Sequence, residues 1–172
     1  DKIKNFGGPL TFSAQLEPAS VAAAIASADI HLSPEIQMKQ KDLADKIGYF
    51  NQLLSKGNLP IISKNDSPVF FLGMGTPTTA YNFSKRLFKE GFFLNLGIYP
   101  AVPIKNTGIR ITLSSHNQQQ DIKALAEAIE YHFPKALEET NNSENKIRQA
   151  FGIDSRKTEK ISESKEKELF IE

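Results

Sequence analysis

The chain has no cysteine, so disulfide bonds and thiolate catalysis are excluded. It has no excess of either charge. Its 21 Lys and Arg stand against 20 Asp and Glu, a formal net charge of +1. That balance gives no reason to expect nucleic acid or an acidic membrane surface as a partner. No apolar run approaches the roughly 20 residues of a membrane-spanning helix. The opening DKIKNFGG does not read as a signal peptide, and the missing initiator Met leads us to expect a fragment. There is no internal repeat. What is present, 172 residues with 40% hydrophobic and 24% charged, suits one soluble domain with a proper core.

The most informative stretch is GIYPAVPIKNTGIRITLSSH, from Gly97 to His116. Pro100 and Pro103 forbid a helix and stiffen a turn, because each fixes φ and lacks an N–H. Lys105 to Gly108 is turn chemistry. Ile109, Ile111 and Leu113 then alternate with Arg110, Thr112 and Ser114, the period of a half-buried strand. Arg110 therefore points away from the apolar face. Its guanidinium is a fork for a carboxylate or phosphate. The residues alone leave a second reading open, a strand arginine paired with a nearby acid.

Around this stretch the pattern predicts a helix over 17–31 with Pro18 in its first position and Val21, Ala24, Ile25 and Ala28 as its packed face. A second helix is expected from a Ser33 cap, with Ile36, Leu43, Ile47, Phe50 and Leu54 on one face. Lys41, Asp42 and Lys46 read as its solvated side. Val69 to Leu72 is a strand apolar enough to be covered on both faces. Thr76 caps the next helix, with Pro77 at its first position and Tyr81, Ser84, Leu87 and Phe88 facing one way. Phe92 to Leu96 is expected to be a strand. Asn117 with Gln120 reads as a capping box opening a helix that Pro134 interrupts or kinks. A short helix is expected over 145–153, then a charged tail. His31 sits at a helix end with no second metal ligand spaced near it, and His116 reads as structural or as a site residue at a helix entrance.

The order, two helices and then β-α-β-β-α, gives an α+β fold: α/β in broad terms, with a small, mostly antiparallel sheet and helices on one face. The expected division is a 1–16 interface segment, a 17–153 domain and a 154–172 tail.

YPAVP, a short loop, Arg110 on a strand and Ser114-Ser115-His116 entering a helix together resemble the C-terminal domain of the α-oxoamine synthases. These fold-type I pyridoxal-phosphate (PLP) enzymes condense an amino acid with an acyl thioester and release carbon dioxide. The resemblance implies that the chain is the small, C-terminal domain of a cytoplasmic homodimer. The substrates would be an amino acid and an acyl-CoA or acyl-carrier protein. It implies that Arg110 binds the substrate carboxylate. It also implies that Ser13 donates to the cofactor phosphate of the partner subunit, although Gln15 replaces a second small hydroxyl residue. In the family the imine-forming lysine precedes the segment matching 5–16, so no catalytic residue and no metal site is expected here, and the chain alone should be inactive. The alternatives are the small domain of an aminotransferase of the same fold type, or a non-enzymatic interaction domain.

Overall fold

The computed structural model describes residues 1–8, 16–57, 59–62 and 66–153. The chain divides into two compact units, one within Asp1–Lys41 and one from Asp42 onward. The expected interface contact Ser13 and the 154–172 tail lie outside the described residues.

The first unit carries α1 (Lys2–Phe6) and α2 (Pro18–Leu32). Pro18 opens α2 as expected, but the packed face does not form among the described residues. No residue of α2 is buried, and Ile25 is 58% exposed. Its alanine-rich surface gives too little apolar stripe to bury by itself. Ser33 Oγ accepts from the Glu35 N–H at 3.2 Å and caps α3 (Glu35–Leu54), which runs through the division between the units.

In the second unit, α3 buries Ile47, Phe50 and Leu54. The sheet follows: β1 (Val69–Gly75), β2 (Asn95–Gly97) and β3 (Thr107–Thr112), with β3 in the middle and both pairings antiparallel. Ile61 bridges to Leu72 on the other side of β1. Alternation sets the two faces. Phe70, Leu72, Met74, Ile109 and Ile111 point to one side and are buried. Phe50 meets Phe70 edge-on there, with ring centroids 4.8 Å apart.

Helix α4 (Pro77–Lys89) and helix α5 (Gln119–Glu139) complete that core, with Phe83 against Phe133. Thr76 caps α4 through the Thr79 N–H. The buried stripe of α4 is Thr79, Ala80, Phe83 and Leu87, so the expected face is rotated; Tyr81 and Phe88 are exposed. The series through Phe83 is the one turned inward because Phe83 packs edge-on against Phe133 of α5. The N-cap of α5 is Gln118, reciprocally bonded with Asp121, and not Asn117. Asn117 instead accepts from the Ser114 N–H at 2.7 Å, closing a turn one residue earlier. Pro134 is accommodated within α5, which continues to Glu139. The strand expected over 92–96 shrinks and shifts to β2.

The other sheet face is made by glycines. Gly97 and Gly108 are cross-strand partners, and the Phe71 ring lies across them. A Cβ on Gly97 would sit 2.7 Å from that ring. A Cβ on Gly108 would overlap the ring and lie 2.6 Å from the Leu72 carbonyl oxygen. Next to it, α6 (Glu144–Phe151) sets Ile147 over Gly73 and Gly75 and Phe151 against Gly73. Helix α6 starts at the Ser143 cap and ends at Gly152, whose φ of 65° suits glycine.

Gly108→Ala should destabilise the chain by about 1–3 kcal/mol, the usual cost of overpacking. Adding Phe71→Ala should not restore it fully, because the Leu72 carbonyl remains in the way. Gly97→Ala should be costly alone and close to neutral with Phe71→Ala. A double-mutant cycle by urea denaturation checks both, and additive losses for the Gly97 and Phe71 changes would refute the ring-on-glycine packing.

Candidate functional site

Arg110 sits at the centre of β3 on the glycine face. Its cross-strand partners are Phe71 and Asn95. Directly opposed side chains on one face stand about 4.5–5.5 Å apart at Cβ. Arg110 is exposed, and no hydrogen bond or ion pair reaches it among the described residues. Its neighbours on that face, Phe71, Asn95 and Thr112, are all uncharged, so nothing beside it neutralises the guanidinium. Of the two readings of Arg110, the internal ion pair has no support here.

The turn after β3 is held from α3. Lys46 Nζ donates to the Ser115 carbonyl and to Asp42, each at 2.7 Å. Lys46 is therefore an anchor and not part of a solvated face. His116 is exposed, and only its carbonyl is engaged, by Gln118 Nε2 at 3.4 Å.

Before β3, the YPAVP loop carries a cis Tyr99–Pro100 peptide. The Ala101 N–H donates to the Ile98 carbonyl at 2.9 Å, and Asn106 N–H to the Pro103 carbonyl at 2.8 Å. The Thr107 hydroxyl closes the turn on the Ile104 carbonyl at 2.8 Å. Between this loop and α6 lies a cavity of about 650 Å³. A smaller hollow of about 330 Å³, lined by Arg86, Glu90, His132 and Glu139 among others, lies beside α4 and α5. There His132 Nε2 meets Glu90 at 2.8 Å, and its buried Nδ1 has no partner among the described residues. Arg86 pairs with Glu139.

Sequence reasoning missed Phe71, Asn95, Lys46 and the α6 contribution. The paired glycines at 97 and 108 were the available signal for the ring that lies over them.

The aminotransferase class I and II family matches residues 1–129. The chain belongs to this family. It is 32% identical over 128 residues to 8-amino-7-oxononanoate synthase from Thermoanaerobacter pseudethanolicus, a match covering 74% of this chain and 32% of that protein. The chain thus spans about a third of the length of the curated relatives it matches. Two solved structures share its fold. One is a serine palmitoyltransferase from S. paucimobilis, with PLP and myriocin bound (TM-score 0.68, 17% identity, 74% of this chain and 32% of that one). The other is 8-amino-7-oxononanoate synthase from Francisella tularensis (TM-score 0.62, 21% identity, 77% and 38%). The resemblance to α-oxoamine synthases and the α+β class are borne out by these relatives. Helix α6 follows the matched residues. Among the described residues no group of three or more His, Cys, Asp and Glu is placed to hold a metal, and no helix is long and apolar enough to cross a membrane.

The Glu139 carboxyl is held below its ordinary value of 4.5, first by the Arg86 hydrogen bond and then by Asn82. A depressed carboxylate stabilises the fold above its ordinary pKa, and that contribution fades as pH falls through the lowered folded value. Glu139→Gln should therefore make the urea midpoint less sensitive to acid below pH 4.5. An acid slope identical in parent and variant would show that the pair does not couple to folding.

Proposed function

We propose that this chain is the C-terminal portion of a PLP-dependent acyltransferase of the α-oxoamine synthase type. Such an enzyme condenses an amino acid with an acyl-CoA or acyl-carrier-protein thioester and releases carbon dioxide. The observation that carries the reading is Arg110: an exposed guanidinium with no partner and only uncharged neighbours among the described residues, on the strand that follows YPAVP. Its part is to take the amino-acid carboxylate through two parallel N–H bonds. Phe71 and Asn95 flank that fork, and the Lys46 anchor holds the turn beyond it. In the proposed cytoplasmic homodimer, Ser13 donates to the partner's cofactor phosphate.

PLP needs a lysine for its imine, an acid at its pyridine nitrogen and a group stacked on its ring. The described residues do not fit it by themselves. The 650 Å³ cavity has Lys105, Lys146 and Tyr99 but no acid. The hollow beside α4 has lysines and acids but no aromatic ring other than His132. Near Tyr49, Lys46 is committed as an ammonium to Asp42 and a carbonyl. No chemical step is therefore assigned to this chain, and the lysine, acid and stacking group that PLP needs would come from other parts of an enzyme of the relatives' length. Borohydride treatment of this chain with PLP should trap no single stoichiometric lysine. Mass-spectrometric assignment of one such site would overturn that division of labour.

In the full-length enzyme, Arg110→Lys keeps the charge but loses the fork. A charged hydrogen bond is worth about 1.5–3 kcal/mol, so the amino-acid dissociation constant should rise roughly 10- to 150-fold. The cofactor should stay bound and the acyl-thioester constant should change much less. Spectral titration of the bound cofactor with the amino acid, alongside acyl-thioester kinetics, measures this. Unchanged amino-acid affinity in a folded, cofactor-loaded variant would return Arg110 to a structural role. An aminotransferase would share the clamp but consume no thioester, so the same kinetics separate the two.

A further inference from the structure

The cavity between the YPAVP loop and α6 measures about 650 Å³. Its wall is apolar and uncovered among the described residues. Tyr99 is 65% exposed and Ile104 60% exposed, and Pro103 and Ala150 extend the same surface. Exposed apolar surface with a polar rim marks a contact site. Here the rim is cationic: Lys105 and Lys146 line the cavity, and no Asp or Glu does. Neither ammonium group nor the Tyr99 hydroxyl has a partner among the described residues. The surface therefore suits an apolar body with negative charge beside it, and Tyr99 can donate one hydrogen bond to it.

Helix α6 holds that wall in place. Asn106 Nδ2 donates to the Ala150 carbonyl at 3.0 Å, and Asn142 Nδ2 to the Met74 carbonyl at 3.0 Å. The described residues end at Ile153, just past Ala150 of the wall. Residues 154–172 follow from that point, with both signs of charge interspersed until the last five. Those five are Glu168, Leu169, Phe170, Ile171 and Glu172, consecutive apolar residues between two acids with no base among them. No other segment outside the described residues joins consecutive apolar residues to acids: 9–15 is uncharged, and 63–65 is Ser-Lys-Asn.

We propose that Leu169, Phe170 and Ile171 dock in this cavity of the same chain, with Glu168 and Glu172 meeting Lys105 and Lys146. Reach is no obstacle, since a tether of about 15 residues spans up to roughly 50 Å. Burial of three apolar side chains supplies the attraction. The charges choose the segment: two ammonium groups repel a basic one and accept an acidic one. Tethering gives an effective concentration in the millimolar range, so a weak intrinsic affinity is enough. The proposal rests on the cavity and the sequence of the segment, and is independent of the Arg110 reading.

The test is backbone amide NMR of the 172-residue chain beside a chain ending at Lys167. Removing residues 168–172 should shift the amides of Gly75, Thr76, Lys105 and Lys146. Phe170→Ala in the intact chain should shift the same amides in the same direction. An amidated peptide of residues 165–172, added at millimolar concentration to the shortened chain, should return them toward the intact positions. Lys105→Glu with Lys146→Glu in the shortened chain should weaken that peptide roughly tenfold, and the intact chain should bind it more weakly than the shortened one. The proposal is overturned if truncation leaves those amides unmoved, or if it moves only amides elsewhere. It is also overturned if a peptide with Lys in place of both Glu168 and Glu172 binds as well. A shift that disappears on dilution would place the segment on a second copy and overturn docking within one chain.

Discussion

The register of β3 against its two neighbours is the constraint on which the rest depends. β3 is hydrogen-bonded to β1 on one side and β2 on the other. Its alternation puts Ile109 and Ile111 into the core beside Leu72 and Phe70. A slip of one residue would exchange the faces. It would bury a guanidinium with no partner, at a cost of several kcal/mol even after relaxation, and expose both isoleucines. The glycines oppose the slip as well. Phe71 lies over bare backbone only where Gly97 and Gly108 stand side by side. The core and the open face therefore select one register, and the position of Arg110 follows from it.

Much of this was legible because it rests on local rules. The alternation from Ile109 to Leu113, the Thr76 and Ser33 caps, the Pro18 and Pro77 starts and the apolar face of α3 each depend on neighbours in sequence. What was not legible depends on neighbours in space. Helix α4 offers two overlapping stripes, and only the packing of Phe83 on Phe133 chooses between them. Asn117 and Gln118 can each cap, and the bond from Asn117 back to Ser114 decides. Lys46 looks like a surface charge until the Ser115 carbonyl is brought to it across 69 residues of chain. His132 sits in a helix with no motif around it, and only the fold sets it beside Glu90. Arg110 was legible as a candidate, since strand alternation alone turned it outward. Whether an acid met it there was a tertiary question. Ser13 lies outside the described residues.

A three-stranded sheet has two faces and too few strands to neglect either. The helices α3, α4 and α5 serve the face with the large side chains. The glycine face is a shallow hollow, and two segments fill parts of it. Phe71 turns back over Gly97 and Gly108, and α6 lowers Ile147 and Phe151 onto Gly73 and Gly75. The glycines are thus the receiving surface for side chains from elsewhere. Because α6 is tied at both ends, by Asn142 at its start and Asn106 near its end, it stands as a wall beside the YPAVP loop. The cavity is the space left between that wall and the loop.

Among the described residues, the same arrangement leaves the Arg110 end of the face without a covering side chain. Several carboxylates elsewhere are engaged by nearby cations: Glu139 by Arg86, Asp42 by Lys46 and Glu144 by Arg148. Each of those cations lies on a helix, where its partner is one turn away or across a helix interface. Arg110 is on the central strand, with an aromatic ring and an amide in the cross-strand positions that an acid would occupy. An exposed guanidinium loses little by being unpaired, since water solvates it, so the fold tolerates the vacancy. Its geometry is set by a register that the core enforces for its own reasons. A carboxylate arriving from outside the fold would therefore meet a fork whose backbone is already placed, with no ion pair among the described residues to break first.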